Sequence, residues 1–159
     1  MTPDLSSRRS FDEQTVARAR LLPGQVVLDV CSAAGIAALA AARAVDPKGR
    51  VIGLETDPAL IEEARSRAAA ESIGNVEFRQ AHFDQVYFRG ASFDAIVCCF
   101  GVSQFSSPQA TVQKMWRFLR PGGRLVISAW ESESIQTVLP EAAIEREGGV
   151  LYAVAVKNP

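Results

Sequence analysis

From Gly24 onward, short runs rich in β-branched apolar residues alternate with helix-forming runs, an order that few architectures accept. Residues 26–31, 50–55, 75–80, 93–99, 124–130 and 149–156 read as strands. Residues 36–45, 59–72 and 108–119 read as helices, and 134–147 as a weaker one. Val26-Val-Leu-Asp-Val-Cys31 is continuously apolar but for one aspartate, which suits a central strand covered on both faces. Asn75-Val-Glu-Phe-Arg-Gln80 alternates apolar and polar residues and suits a place nearer the sheet edge. Stop and start signals divide the runs: Asp46-Pro-Lys-Gly49, the cap Thr56-Asp-Pro58, and Arg120-Pro-Gly-Gly123. The implied class is α/β, a Rossmann-like three-layer α/β/α sandwich on a mostly parallel sheet with right-handed crossovers.

The 159 residues suggest one domain: residues 1–24 as an extension with one helix near 12–22, and residues 25–159 as the core. A formal net charge of −1 gives no bulk attraction to nucleic acid or to an anionic membrane. Lys114, Arg117, Arg120 and Arg124 form a small basic group that reads as a solvated helix face. Cys31, Cys98 and Cys99 lie in apolar runs, and His82 is the sole histidine, so neither a zinc site nor a disulfide framework is expected. Buried free thiols point to a reducing, cytoplasmic setting. The polar N-terminus is unlike a signal peptide, and no apolar run approaches the roughly 20 residues that cross a bilayer.

In a doubly wound sheet, ligands sit beyond the C-terminal ends of the strands. The first such end is Asp29-Val-Cys-Ser-Ala-Ala-Gly35, where small side chains let backbone approach a ligand at a helix N-terminus. Taken alone, this turn is read equally well as a tight connection that binds nothing. Glu55 ends the second strand some twenty residues beyond the first turn, where a carboxylate can accept both hydroxyl hydrogens of a ribose.

Residues 26–35, 51–65, 75–84, 93–105 and 116–130 together resemble consecutive motifs of class I S-adenosylmethionine-dependent methyltransferases. The resemblance is closest to the branch of ubiquinone/menaquinone biosynthesis and small-molecule enzymes. Phe118-Leu-Arg-Pro-Gly-Gly-Arg-Leu-Val-Ile-Ser128 is especially similar to that family's lead into its fifth strand. The resemblance implies S-adenosylmethionine as cofactor and a small-molecule acceptor. It implies that Asp29, Cys31, Ala33 and Gly35 face the methionine end, and that Glu55 with Thr56 holds the ribose. His82 and Phe83 would lie along the adenine edge, and Cys99 to Val102 would floor the transfer site. The family's three loop glycines are here Cys31, Ala33 and Gly35, and a left-handed φ at Cys31 would cost on the order of 1 kcal/mol. His82 stands where the family commonly has an aspartate, and a neutral imidazole can replace its acceptor. No catalytic base is identified, and Trp130 is read either as a pocket border or as a buried strand end.

Between Trp130 and Gly149 there is scarcely room for the family's antiparallel sixth strand, which is expected to be lacking or shortened. The last strand would then expose a free edge, suggesting a homodimer through Val150–Val156. Three functions stay open: a small-molecule methyltransferase, an inactive methyltransferase-like binding or partner subunit, and, third, a nicotinamide-dependent oxidoreductase.

Overall fold

A computed structural model describes residues 5–131, 135 and 138–159. Its sheet grows outward from β1 (Val26–Val30), which lies between β2 (Arg50–Glu55) and β4 (Phe93–Cys99) and pairs parallel with both. On one side β3 (Val76–Gln80) adds parallel to β2 as an edge. On the other side β5 (Leu119–Trp130) adds parallel to β4, and β7 (Val150–Val156) runs antiparallel to β5. β6 (Ala143–Glu147) completes the order β3-β2-β1-β4-β5-β7-β6.

Side-chain alternation along the central strands feeds two cores. Val27, Val97, Val126 and Tyr152 pack against α1 (Leu5–Arg18), α2 (Ile36–Val45) and α3 (Pro58–Ala70). Leu28, Val30, Ile96, Cys98 and Ile127 pack against α4 (Pro108–Phe118) and the segments around Phe83, Phe105 and Leu139. This is the expected three-layer sandwich, with, among the described residues, three α-helices on one face and one on the other.

Polar links fix where the layers meet. The Asp94 carboxylate accepts from the Val26 amide at 2.7 Å and from Arg120 Nη1 at 2.7 Å, joining the starts of β1, β4 and β5. Lys157 Nζ donates to the carbonyls of Trp116 and Leu119 at 2.9 and 2.8 Å, a cation on the last turn of α4. Lys114 Nζ donates to the Phe83 and Asp84 carbonyls at 2.7 and 3.0 Å, so two members of the expected basic group carry structural contacts.

Expectations for two helices are corrected. Residues 143–147 form a strand, and not the end of a helix over 134–147; residues 132–134, 136 and 137 of that span lie outside the described residues. Gly148 and Gly149 have φ of +59° and +80°, the two positive values that a tight hairpin needs, and they return the chain from β6 into β7. The sixth strand is thus present and shortened, the second of the two expected alternatives, with five residues against seven in β7. β7 pairs with β5 along its length and with β6 over Val150–Val154, so the free edge on which the expected dimer rested is taken by β6 over those five residues. Helix α1 begins at Leu5, earlier than expected, and ends at Arg18.

Met115 is the fully buried centre of the α4 face. Met115→Ala should lower stability by about 2–5 kcal/mol through the cavity it leaves, read as a shifted urea midpoint with an unchanged slope.

Candidate functional site

The C-terminal ends of β1, β2, β3 and β4 open on a cavity of about 170 Å³. Cys31 enters it from the turn after β1, and Leu54, Glu55 and Thr56 from the end of β2. Ala81, His82 and Phe83 follow β3, and Gln104 and Phe105 follow β4.

The turn after β1 is wound left-handed at every second residue: φ is +61° at Cys31, +47° at Ala33 and +86° at Gly35. Two of these positions carry a β-carbon, so the turn stores strain. Hydrogen bonds oppose it. The Ser32 amide donates to the Leu54 carbonyl at 2.8 Å, and the Gly35 amide to the Ser32 carbonyl at 2.9 Å. The third glycine position cannot change as the other two have: a β-carbon on Gly35 would stand 2.8 Å from Ala64 Cβ and 2.9 Å from the Phe78 ring.

Glu55 ties this turn to the next. Its Oε2 accepts from the Ala33 amide at 2.9 Å, and its Oε1 from the Thr56 and Asp57 amides at 2.7 and 3.1 Å. Oε2 retains acceptor capacity toward the cavity, since each carboxylate oxygen has two lone-pair directions. Asp57 in turn caps α3 by accepting from the Ala59 amide at 2.8 Å.

His82 Nδ1 accepts from the Asp84 amide at 3.3 Å. With Nδ1 engaged by that amide, a neutral ring would carry its proton on Nε2 and offer a donor outward, where the resemblance implies an acceptor. Its ring meets Phe105 edge-on with centroids 5.3 Å apart, and Phe105 meets Phe83 at 6.3 Å.

Of the residues expected from the sequence, Cys31, Glu55, Thr56, His82 and Phe83 therefore share one cavity, with Ala33 and Gly35 in the turn beside it. Asp29 and Cys99 do not line it. Both point to the α1 side of the sheet and are buried. Neither Asp29 oxygen has a hydrogen-bond partner among the described residues. Burial raises its pKa well above the usual carboxylate range, and the Asp12 and Cys31 charges add to this while the Ala38 amide pulls the other way. Asp12 on α1 is raised to about 6, chiefly by desolvation, with Arg8 opposing. Cys99 is likewise raised by burial. Trp130 is half-buried and stacks on Phe100 at 4.4 Å, with Phe11 of α1 edge-on at 6.1 Å. Leu54, Ala81, Gln104 and Phe105 are not among the expected residues. Leu54 sits one place before Glu55, but nothing in the pattern signals the short 3₁₀ turn Val102–Gln104 that brings Gln104 and Phe105 back over the cavity.

A family model described as Methyltransferase domain matches residues 27–123. The chain is 36% identical over 112 residues to an arsenite methyltransferase of Halobacterium salinarum, covering 70% of this chain and 29% of that protein. It is 30% identical over 134 residues to the ubiquinone/menaquinone biosynthesis C-methyltransferase UbiE of a Marinomonas species, covering 82% of this chain and 53% of that protein. The chain thus spans about half, or less, of the length of these curated relatives. A solved SAM-dependent methyltransferase from Aquifex aeolicus superposes with a TM-score of 0.77 at 22% identity, over 95% of this chain and 93% of that one, which shows the shared fold. Among the described residues, no helix is long and apolar enough to cross a membrane and no cluster suits a metal ion.

Gly35→Ala should cost about 1–3 kcal/mol through left-handed strain and the clash with Phe78 and Ala64, visible as a lower thermal midpoint. The raised Asp12 pKa sets a pH dependence. Between the unfolded value near 3.8 and the folded value of about 6, the folded state holds the extra proton. Stability from this group therefore falls as pH rises through that window, by roughly 2–3 kcal/mol. Asp12→Asn should flatten this slope in urea titrations run from pH 4 to 7.

Proposed function

The chain belongs to the methyltransferase domain family, and on that premise we propose that it transfers a methyl group from S-adenosylmethionine to a small-molecule acceptor. The observation that carries the reading is Glu55. It is a carboxylate at the end of β2, held by three backbone amides and open to a cavity whose other walls are an imidazole and two phenyl rings. The donor set fits a nucleoside bearing a charged amino-acid tail. S-adenosylmethionine supplies, when bound, a methyl group already activated on a sulfonium, so positioning contributes much of the rate.

The residues divide that positioning between them. Glu55 Oε2 would accept a ribose hydroxyl hydrogen, and His82 Nε2–H would donate to a ring nitrogen at the adenine edge. Phe83 and Phe105 present apolar surface to the base. Asp29 lies under the turn as a buried carboxyl whose oxygens, among the described residues, meet no partner within hydrogen-bonding geometry. A cationic amino group brought near would favour its ionised form and pair with it. Cys31, Ala33 and Gly35 shape the turn in which the amino-acid tail would lie, and no side chain is assigned as a base. Cys99 is buried on the α1 side of the sheet and does not line this cavity, and its place is read as support beneath the turn. Residues 25–159 are read as the catalytic core, with 1–24 as an extension. The three free thiols support a cytoplasmic setting.

Isothermal titration with S-adenosylhomocysteine is the direct test. Micromolar binding is expected, and Glu55→Ala should weaken it by about 10–100-fold, as for a lost charged hydrogen bond, with an unchanged circular dichroism spectrum. Absence of binding at millimolar ligand would remove the reading.

A further inference from the structure

The substitution that sets the first turn position apart also brings two sulfurs together. A β-carbon on Gly101 would stand 2.8 Å from Cys31 Sγ and 3.1 Å from Cys98 Sγ, so both sulfurs converge on the same glycine. The backbone frame suits a bond between them. β1 and β4 pair parallel with Val30 opposite Cys98, which puts Cys31 one residue further along the neighbouring strand. Ideal strand spacing and rise would set the two Cα atoms roughly 6 Å apart, inside the roughly 4.4–6.8 Å that a disulfide spans.

The two thiols differ in access. Cys31 is half-buried and lines the cavity, whereas Cys98 is fully buried behind it. Cys99, the next residue, faces the opposite side of the sheet, toward α1. An oxidant entering the cavity thus meets Cys31 first, with Cys98 placed to resolve it.

We propose that Cys31 is an oxidant-sensitive modification site that closes onto Cys98 as a reversible disulfide, and that this bond weakens nucleoside binding in the cavity; the second part rests on the cofactor reading above. The oxidant class is a hydroperoxide. The Cys31 thiolate attacks one peroxide oxygen and the O–O bond breaks. Hydroxide leaves and is protonated to water, and Cys31 becomes a sulfenic acid. Cys98 sulfur then attacks Cys31 sulfur, the S–O bond breaks, and the hydroxyl leaves with the Cys98 proton as a second water. In sum, two thiols and one hydrogen peroxide give one disulfide and two waters, with two electrons passing from sulfur to oxygen. The neighbouring Cys98 thiol holds the Cys31 pKa below the ordinary thiol range, against the opposing effect of burial, and so favours the attacking thiolate. Bond formation draws Cys31 toward β4. Ala33, two residues on, gives its amide to Glu55, so the movement disturbs the bridge on which ribose binding would depend.

The test treats the whole chain with hydrogen peroxide, follows the intact mass and maps the cross-linked peptides. The expected product has lost two hydrogens, joins the Cys31 and Cys98 peptides, and reverts with dithiothreitol. It should bind S-adenosylhomocysteine at least about tenfold more weakly than the reduced protein. Cys98→Ala should give no cross-link and should leave Cys31 trappable by dimedone as the sulfenic acid. The proposal is overturned if peroxide leaves both thiols titratable, if Cys99 is the partner, or if the oxidised and reduced forms bind equally. If the reduced protein binds no S-adenosylhomocysteine, the cofactor reading fails, while the peptide map still decides whether the disulfide forms.

Discussion

The Glu55 carboxylate holds together the two turns on which the cavity depends. One oxygen takes the Ala33 amide from the turn after β1, and the other takes the Thr56 and Asp57 amides from the turn after β2. Backbone donors at strand ends have no ladder partner, so a buried or half-buried turn must find acceptors elsewhere. Here one side chain satisfies three of them. In doing so it fixes the separation of β1 and β2 at their C-terminal ends and the entry angle of α3. The wall opposite, built by His82, Phe83 and Phe105, packs against a frame that is already set.

The strained turn is tolerable because of what surrounds it. Cys31 and Ala33 each adopt a backbone region that costs a residue with a β-carbon about 1–2 kcal/mol, and both lie beside hydrogen bonds from Ser32 and Ala33 into β2. Gly35 has no such latitude, since Ala64 and Phe78 leave no room for a methyl group. Glycine thus stands where packing leaves no room for a β-carbon, while cysteine and alanine stand where only conformational preference opposes one. Close packing imposes the harder constraint.

Much of the fold was legible because hydrophobic period and breakers agree. β2, β4 and α2 have the bounds that their apolar runs define, and β3 is the edge that its alternation implies. The sixth strand was hidden by its composition. Ala-Ile-Glu-Arg-Glu is a charged run that favours helix by propensity, and the information lay in the two glycines that follow it, which demand a hairpin. At the site, Glu55 and Cys31 could be read from their place at strand ends. His82 shows the limit of that reading. Its position is as expected, but which ring nitrogen faces the cavity is decided by the Asp84 amide, a contact no one-dimensional pattern encodes. Asp29 and Cys99 sit in the right segments and on the other side of the sheet, a matter of strand register.

Helix α1 rests on the far end of the sequence. Arg18 reaches Glu145 and Glu147 of β6 at 2.8 and 3.2 Å and covers the Tyr152 ring, whose hydroxyl donates to Gln14 at 3.0 Å. These contacts join segments 127 and 129 residues apart, so during synthesis α1 waits for β6 and β7 before they can form. The central strands can gather as they emerge, but the layer over Tyr152 is sealed only when β6 and β7 arrive. A nascent chain halted before residue 143 would already seat Phe11 against Phe100 and Trp130, and would lack the Arg18 and Tyr152 contacts that seal the rest of the layer.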